Sequence, residues 1–281
     1  VMNTVDNYKI IEKIANGEYG DIYKVQNEEE EIRSLITPLM SALKNNELFQ
    51  NVVYKHFWGS DTIRQGEQLR GERSRIPLAL KVLERETPLP EDFSDNFQQY
   101  FAKAVDFNHD NIIDVHHTGS IDGKIYYVME YVNGVSIGRE ISTCGAYFEP
   151  TACRIVYQTS QALSYLHERN VVHCEVSSKS IILSNNNKPK LHTKLHRAAC
   201  RDRWGIKDEA NNSPLIKDIR DLAVVFYEML TGEIAEGEIN IDDVEASDGA
   251  KEVLQKMLSS YTDCQEICHD LQEKDLLSVK F

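Results

Sequence analysis

No apolar run in these 281 residues approaches the length that a bilayer crossing needs, and no basic-then-apolar signal segment opens the chain. A membrane is therefore not among the expected partners. Paired CxxC spacings are also missing, since the six cysteines stand at 144, 153, 174, 200, 264 and 268. Reduced thiols in the cytoplasm, or in the nucleus, are the plain expectation. Basic excess is lacking too. Lys and Arg number 31 against 45 Asp and Glu, a formal net charge of −14. That excludes a general nucleic-acid surface, which needs clustered cations to displace counterions. There is no repeat and no low-complexity segment. Residues 233–248 carry no base and Glu28 to Glu31 are consecutive; both read as solvated acidic loops.

At this length the chain can build one two-lobed domain or two small ones. Residues 8–13 and 21–26 read as strands around the turn Asn16-Gly17-Glu18-Tyr19-Gly20. Residues 32–43 place Ile32, Leu35, Ile36, Leu39 and Leu43 at helical spacing, with Pro38 interrupting or kinking that helix. Residues 46–75 are mixed and contain Phe57-Trp58. Ile76 to Leu83 reads as a buried strand, and 91–107 as a helix with Phe97, Phe101 and Ala104 on one side. Strands follow at 112–118 and 125–131. A helix over 150–168 has proline near its start, and another over 215–231 is ended by Gly232. The latter is apolar over most of its circumference, which marks a central, buried helix. Residues 247–277 suit two more helices. A strand-rich first part thus precedes a helix-rich second part, joined near 132–135.

Five segments then occur in a telling order: IANGEYGDIYKV (14–25), LALK (78–81), YYVMEYVNG (126–134), HCEVSSKS (173–180) and KDIRDLAVVFYEMLTGE (217–233). Together they resemble the protein kinase superfamily over nearly the whole chain, in the manner of a degenerate member, a pseudokinase. The resemblance implies an α+β, bilobal, protein-kinase-like fold. It would have a small β-rich N-lobe with one main helix, a larger helical C-lobe, and an insert between strands 2 and 3. The expected division is one domain over 1–281, with an N-lobe to about 131, the insert at 27–75, a hinge at about 130–135 and a C-lobe from about 136.

Carried over residue by residue, the resemblance makes Gly17 and Gly20 part of the phosphate loop, with Ala15 in the first glycine position. Lys81 becomes the lysine that grips the phosphates. The helix glutamate that would hold it falls at Tyr100, beside Gln98 and Gln99, so Lys81 is expected to have lost that ion pair. Met129 would gate the back of the pocket, and Glu130 and Val132 would offer backbone groups to an adenine edge. Ile22 and Ala79 would cover the base from one side and Ile182 from the other. The alternative is that Met129 and its neighbours fill the cavity.

In the fourth segment Glu175 stands for the catalytic aspartate, Cys174 for the arginine, Ser177 for the lysine and Ser180 for the metal-binding asparagine. Thr193-Lys194-Leu195 stands for D-F-G. Glutamate is still a base but one methylene longer, and misplacement by about 1 Å can cost on the order of 100-fold. Neutral hydroxyls at Ser180 and Thr193 attract magnesium far less than carboxylates do. Asp218 matches the buried aspartate that caps the loop's backbone. His192 and His196 are spaced like zinc ligands but lack a neighbouring acid, and read as exposed or hydrogen-bonded histidines.

These departures imply no working catalytic residue, no metal site and no enzyme. They imply no cofactor, or weak ATP binding without magnesium. The expected work is that of an allosteric regulator or scaffold acting through protein–protein contacts. The partner would be an active kinase or an adjacent domain of the same polypeptide, and the start at Val1 suits an excised domain. The insert is a candidate docking surface or an intramolecular brace. The competing reading is an atypical kinase-like enzyme with residual phosphotransfer, using Glu175 as base and drawing on Asp202 or Asp208.

Overall fold

The structure, a computed structural model, describes residues 4–5, 8–17, 20–27, 78–83, 93–121, 124–193, 213–235, 237 and 239–278. The expected insert helix, Phe57-Trp58, the acidic run 28–31, Lys194-Leu195, His196, Asp202 and Asp208 lie outside the described residues. The chain divides into two compact units, Val1–Thr87 with His116–Tyr131, and Pro88–Val115 with Val132–Phe281.

The first unit is a six-stranded sheet. Its strands are β1 (Thr4–Val5), β2 (Tyr8–Gly17), β3 (Gly20–Asn27), β4 (Leu78–Val82), β5 (Val115–Ile121) and β6 (Lys124–Glu130), in the order β1-β2-β3-β4-β6-β5. Alternation along each strand divides the sheet into two faces. Val25, Leu80, Val82, Tyr126 and Val128 join Val5 and Tyr8 in one core cluster. Fully burying a side chain of this size contributes about 1.5–3 kcal/mol, which is what fixes the register. That register sets Ile22 and Tyr127 opposite Lys81, and Met129 opposite Ala79. Ile22, Ala79, Lys81 and Met129 consequently share the other face. Lys81 is only 5% exposed and is not without an interaction partner, as the cost of burying a bare lysine requires.

The second unit holds α1 (Phe93–Ala104), β7 (Gly134–Ser136), α2 (Ile137–Cys144), α3 (Glu149–His167), β8 (Ile181–Ser184) and β9 (Pro189–Leu191). It continues with α4 (Pro214–Thr231), α5 (Asp248–Ser259) and α6 (Cys264–Glu273). β7, β8 and β9 form a small antiparallel sheet. α3 packs against α4 and α6, and α5 against α4. The apolar stripe read for α3 is buried at Ile155, Leu163 and Leu166. α4 buries Ile219, Leu222, Val225, Phe226 and Met229, as its apolar circumference demands.

Helix ends are capped as the sequence allows. Ser136, Ser247 and Asp263 accept N-terminal N–H bonds on α2, α5 and α6, and Asp263 completes a capping box with Glu266. α4 stops at Gly232, whose φ of +77° is left-handed and whose N–H donates to the Glu228 carbonyl at 2.9 Å. A side chain there would also strike the backbone of Ala146.

The loop after α1 is sewn to β9. The Leu191 N–H donates to the Asn111 carbonyl at 2.8 Å and the Ile113 N–H to the Leu191 carbonyl at 3.0 Å. The Asn111 side-chain amide donates to the Pro189 carbonyl at 2.9 Å. Among the described residues no helix is long and apolar enough to cross a membrane.

Candidate functional site

Residues 171–193 of the second unit run from the end of α3, through a loop, into β8 and β9. Their organiser is Asp218, in the first turns of α4 and fully buried. Its Oδ1 accepts the Cys174 N–H at 2.7 Å, and its Oδ2 accepts the His173 N–H at 2.8 Å. His167 Nε2 lies 2.9 Å from the same Oδ2. A carboxylate without water is tolerated because three donors converge on it. Cys174 has a φ of +71°, a left-handed backbone that costs a residue with a Cβ about 1–2 kcal/mol. The two Asp218 bonds hold it there.

The proton positions follow from the partners. His173 Nε2 lies 2.9 Å from the His192 carbonyl, which can only accept, so Nε2 carries the proton. Nδ1 is then free to accept the Glu175 N–H at 3.4 Å. Cys264 Sγ stands 3.8 Å from His167 Nδ1. Burial first, then the charges of Asp218, Asp263 and Cys268, push this thiol well above its ordinary range. The thiol therefore meets one nitrogen of the His167 ring while the other nitrogen faces Asp218. Loop, α3, α4 and α6 are thus joined by one chain of bonds.

The remaining loop positions are equally tied. Ser180 Oγ accepts the Ser177 N–H and donates to the Ser177 carbonyl, both at 2.9 Å. The Ser178 carbonyl accepts the Gly138 N–H at 2.8 Å, fixing the loop to the start of α2. A Cβ on Gly138 would press on the Ser178 side chain. His192 and Thr193 are buried, so His192 is not the exposed histidine that was one of the two expectations.

Beside Glu175 lies a charged group that motif reading does not mark. Lys217 Nζ reaches the Cys174 carbonyl at 3.4 Å and pairs with Asp221 one turn on. Burial first raises Asp221 above the usual carboxylate range, and the charges of Asp218 and Glu175 raise it further; Lys217 opposes them. A Lys and an Asp four apart, flanking Asp218, was the available signal.

The positions that the resemblance gives to a metal are Ser180 and Thr193. Both present neutral hydroxyls, and that of Ser180 is already bonded within its own turn. Among the described residues no three His, Cys, Asp or Glu side chains gather to hold an ion. For the nucleotide positions, Gly17 and Gly20 pair at the β2–β3 end, and Ile22, Ala79, Lys81 and Met129 lie on one sheet face. Glu130 ends β6. Val132 and Ile182 belong to the second unit, where Ile182 pairs with Ser136 and Lys190.

Residues 67–193 match the family model described as the protein kinase domain. The chain is similar in fold to the crystal structure of the Mycobacterium tuberculosis PknI kinase domain, as its C20A_R136N double mutant. The TM-score is 0.69, with 17% identity, 98% of this chain and 99% of that one. The match to the protein kinase domain covers residues 67–193, short of half of the chain. At that identity the structural likeness establishes the kinase fold alone, a β-sheet N-lobe and a helical C-lobe.

Relatives of this kinase-like chain carry enzyme names. It is 27% identical over 198 residues to the serine/threonine-protein kinase PknB of Mycolicibacterium smegmatis, covering 63% of this chain and 31% of that protein. It is 25% identical over 122 residues to Aurora/IPL1-related protein kinase 2 of Caenorhabditis elegans, covering 43% and 40%. The matched part thus spans about a third of the PknB relative.

Two expectations are corrected by these matches. The chain was expected not to be an enzyme; its relatives are named serine/threonine kinases and point to a kinase enzyme. It was expected to use no cofactor, or ATP without magnesium; serine/threonine kinases as a class use magnesium with their nucleotide. The physical reason is common to both. Substitutions at Glu175, Ser177, Ser180 and Thr193 record which groups are missing from a motif, not which groups elsewhere supply the charge.

Proposed function

We propose that this chain is the kinase-like domain of an atypical protein kinase, moving a phosphoryl group from a nucleoside triphosphate to a protein hydroxyl, with Glu175 as the general base. The observation that carries this reading is Asp218 holding the His173–Cys174 backbone, so that the residue next to it, Glu175, is presented from a fixed loop. A base works through position first and proton affinity second. Gly17, Gly20, Ile22, Ala79, Lys81, Met129 and Glu130 are proposed to receive the nucleotide. The enzyme names of the relatives support the reaction class.

The deciding experiment is transfer of labelled phosphate from ATP to the chain itself and to dephosphorylated casein, with magnesium and with EDTA. Magnesium-dependent transfer is expected, falling by about 100-fold in Glu175→Gln. Transfer that Glu175→Gln leaves untouched overturns the base assignment.

A regulatory or scaffolding role through protein contacts is proposed beside the transfer reaction. It is favoured by the coverage of the PknB relative, 31%, which leaves most of that protein outside the match. An adjacent domain of the same polypeptide, or an active kinase, is the proposed partner. A cytoplasmic or nuclear setting is proposed with it, because among the described residues Cys144, Cys153, Cys264 and Cys268 form no disulfide.

A further inference from the structure

The first turn of α4 grips residue 174 at both ends. Asp218 takes the Cys174 N–H at 2.7 Å, while the preceding residue, Lys217, reaches the Cys174 carbonyl at 3.4 Å. Adjacent residues on a helix point about 100° apart, so the two side chains can hold the two successive peptide units that flank the Cys174 Cα. The carbonyl held in this way belongs to the peptide that leads directly into Glu175. Its left-handed φ is one that a cysteine does not adopt unaided.

Lys217 is itself steadied by Asp221, on the same helix face. Its side chain is about half exposed, at 48%, while that of Asp221 is 22% exposed. The charges of Asp218 and Glu175 both act on Asp221 here. Lys217 pairs with Asp221 and reaches the Cys174 carbonyl. The sequence departs from the kinase motif at this loop by carrying Cys174 in place of arginine, so no guanidinium serves it from within.

We propose that Lys217, anchored by Asp221, is a positioning residue that fixes the Cys174–Glu175 peptide and thereby the direction in which the Glu175 carboxylate is offered. The proposal rests on the reading of Glu175 as the base. It replaces a charge lost from the loop by one supplied from the neighbouring helix.

The test uses the full chain with Lys217→Met, Lys217→Arg and Asp221→Asn. Amide hydrogen exchange at Cys174, Glu175 and Val176 is measured alongside kcat and KM for magnesium-ATP-dependent phosphorylation of casein. Lys217→Met is expected to speed exchange at these amides about tenfold and lower kcat by about 10- to 100-fold, leaving KM for ATP within about threefold. Lys217→Arg restores both, and Asp221→Asn gives an intermediate effect.

Unchanged exchange in Lys217→Met overturns the proposal whatever happens to kcat. Faster exchange with undiminished kcat overturns the link to Glu175. If Glu175→Gln transfers phosphate as well as the parent chain does, the base assignment fails instead, and the exchange data alone judge the clamp.

Discussion

Asp218 holds the backbone N–H of Cys174 at 2.7 Å while Cys174 sits in a left-handed conformation. Strain at one residue and restraint from another are therefore two ends of one contact. Substitution at 174 should report on it. Cys174→Gly relieves the φ but adds chain entropy to the unfolded state, and stability should stay within about 1 kcal/mol of the parent. Cys174→Val places a branched side chain in the same conformation and should cost about 2 kcal/mol or more. Urea unfolding distinguishes them; equal stabilities would show that the strain is absent.

Asp218→Ala removes the acceptor of two buried N–H groups and of His167. The expected loss is about 3 kcal/mol, the cost of leaving buried donors unmet. A loss under about 1 kcal/mol in chemical denaturation would show that water or another group satisfies the loop.

Stability should fall with acid through Asp270. The Tyr261 hydroxyl first, and then Lys256, hold its carboxyl down to about 2, below the ordinary 3.8. A depressed folded value contributes stability that is complete above the unfolded value and lost as pH drops from about 4 towards 2. The group is partly exposed, so the contribution is about 1 kcal/mol after solvent screening. The loss of stability between pH 5 and pH 2.5 should be smaller by that amount in Asp270→Asn. Identical pH curves would refute the assignment.

The thiols should differ in reactivity. Cys144 is exposed, whereas Cys153 and Cys264 are buried. Burial, with help from the charge of Glu149, pushes Cys153 up to about 12, and Cys264 is raised as well. Site-resolved alkylation by iodoacetamide at pH 8 should modify Cys144 at least about 100-fold faster than either. Comparable rates would mean that the α3–α6 interface opens readily.

Most elements were legible because their periodicity is strong. β4 and β6 were marked by dense apolar runs, α3 by an apolar stripe with proline near its start, and α4 by its largely apolar circumference and by Gly232. α2 was not named, since its eight residues include Gly138 and offer only Ile137 and Ile141 as a stripe. Its signals were Ser136 at the N-cap and Gly145 at the end. At the site, Asp218 and Glu175 were readable from motif order.

The tertiary bonds were not readable. Lys217 meets Cys174 across 43 residues, His167 meets Asp218 across 51, and Cys264 meets His167 across 97. No local pattern encodes such pairs; packing of α3, α4 and α6 does. The misjudged chemistry has a related cause. Neutral side chains at Ser180 and Thr193 reveal a subtraction, while additions such as Lys217 come from other elements and escape a reading confined to the motif.

The strap between Asn111 and β9 has a practical corollary. Residues 88–115 supply backbone partners to a half of the molecule whose main stretch starts only at residue 132, and the strands of the sheet half occupy 116–131 in between. A single scissile point in the polypeptide cannot separate the halves. Dissecting this kinase-like chain requires excising the 116–131 hairpin and splicing the flanking ends; anything shorter strips β9 of the peptide groups that secure it.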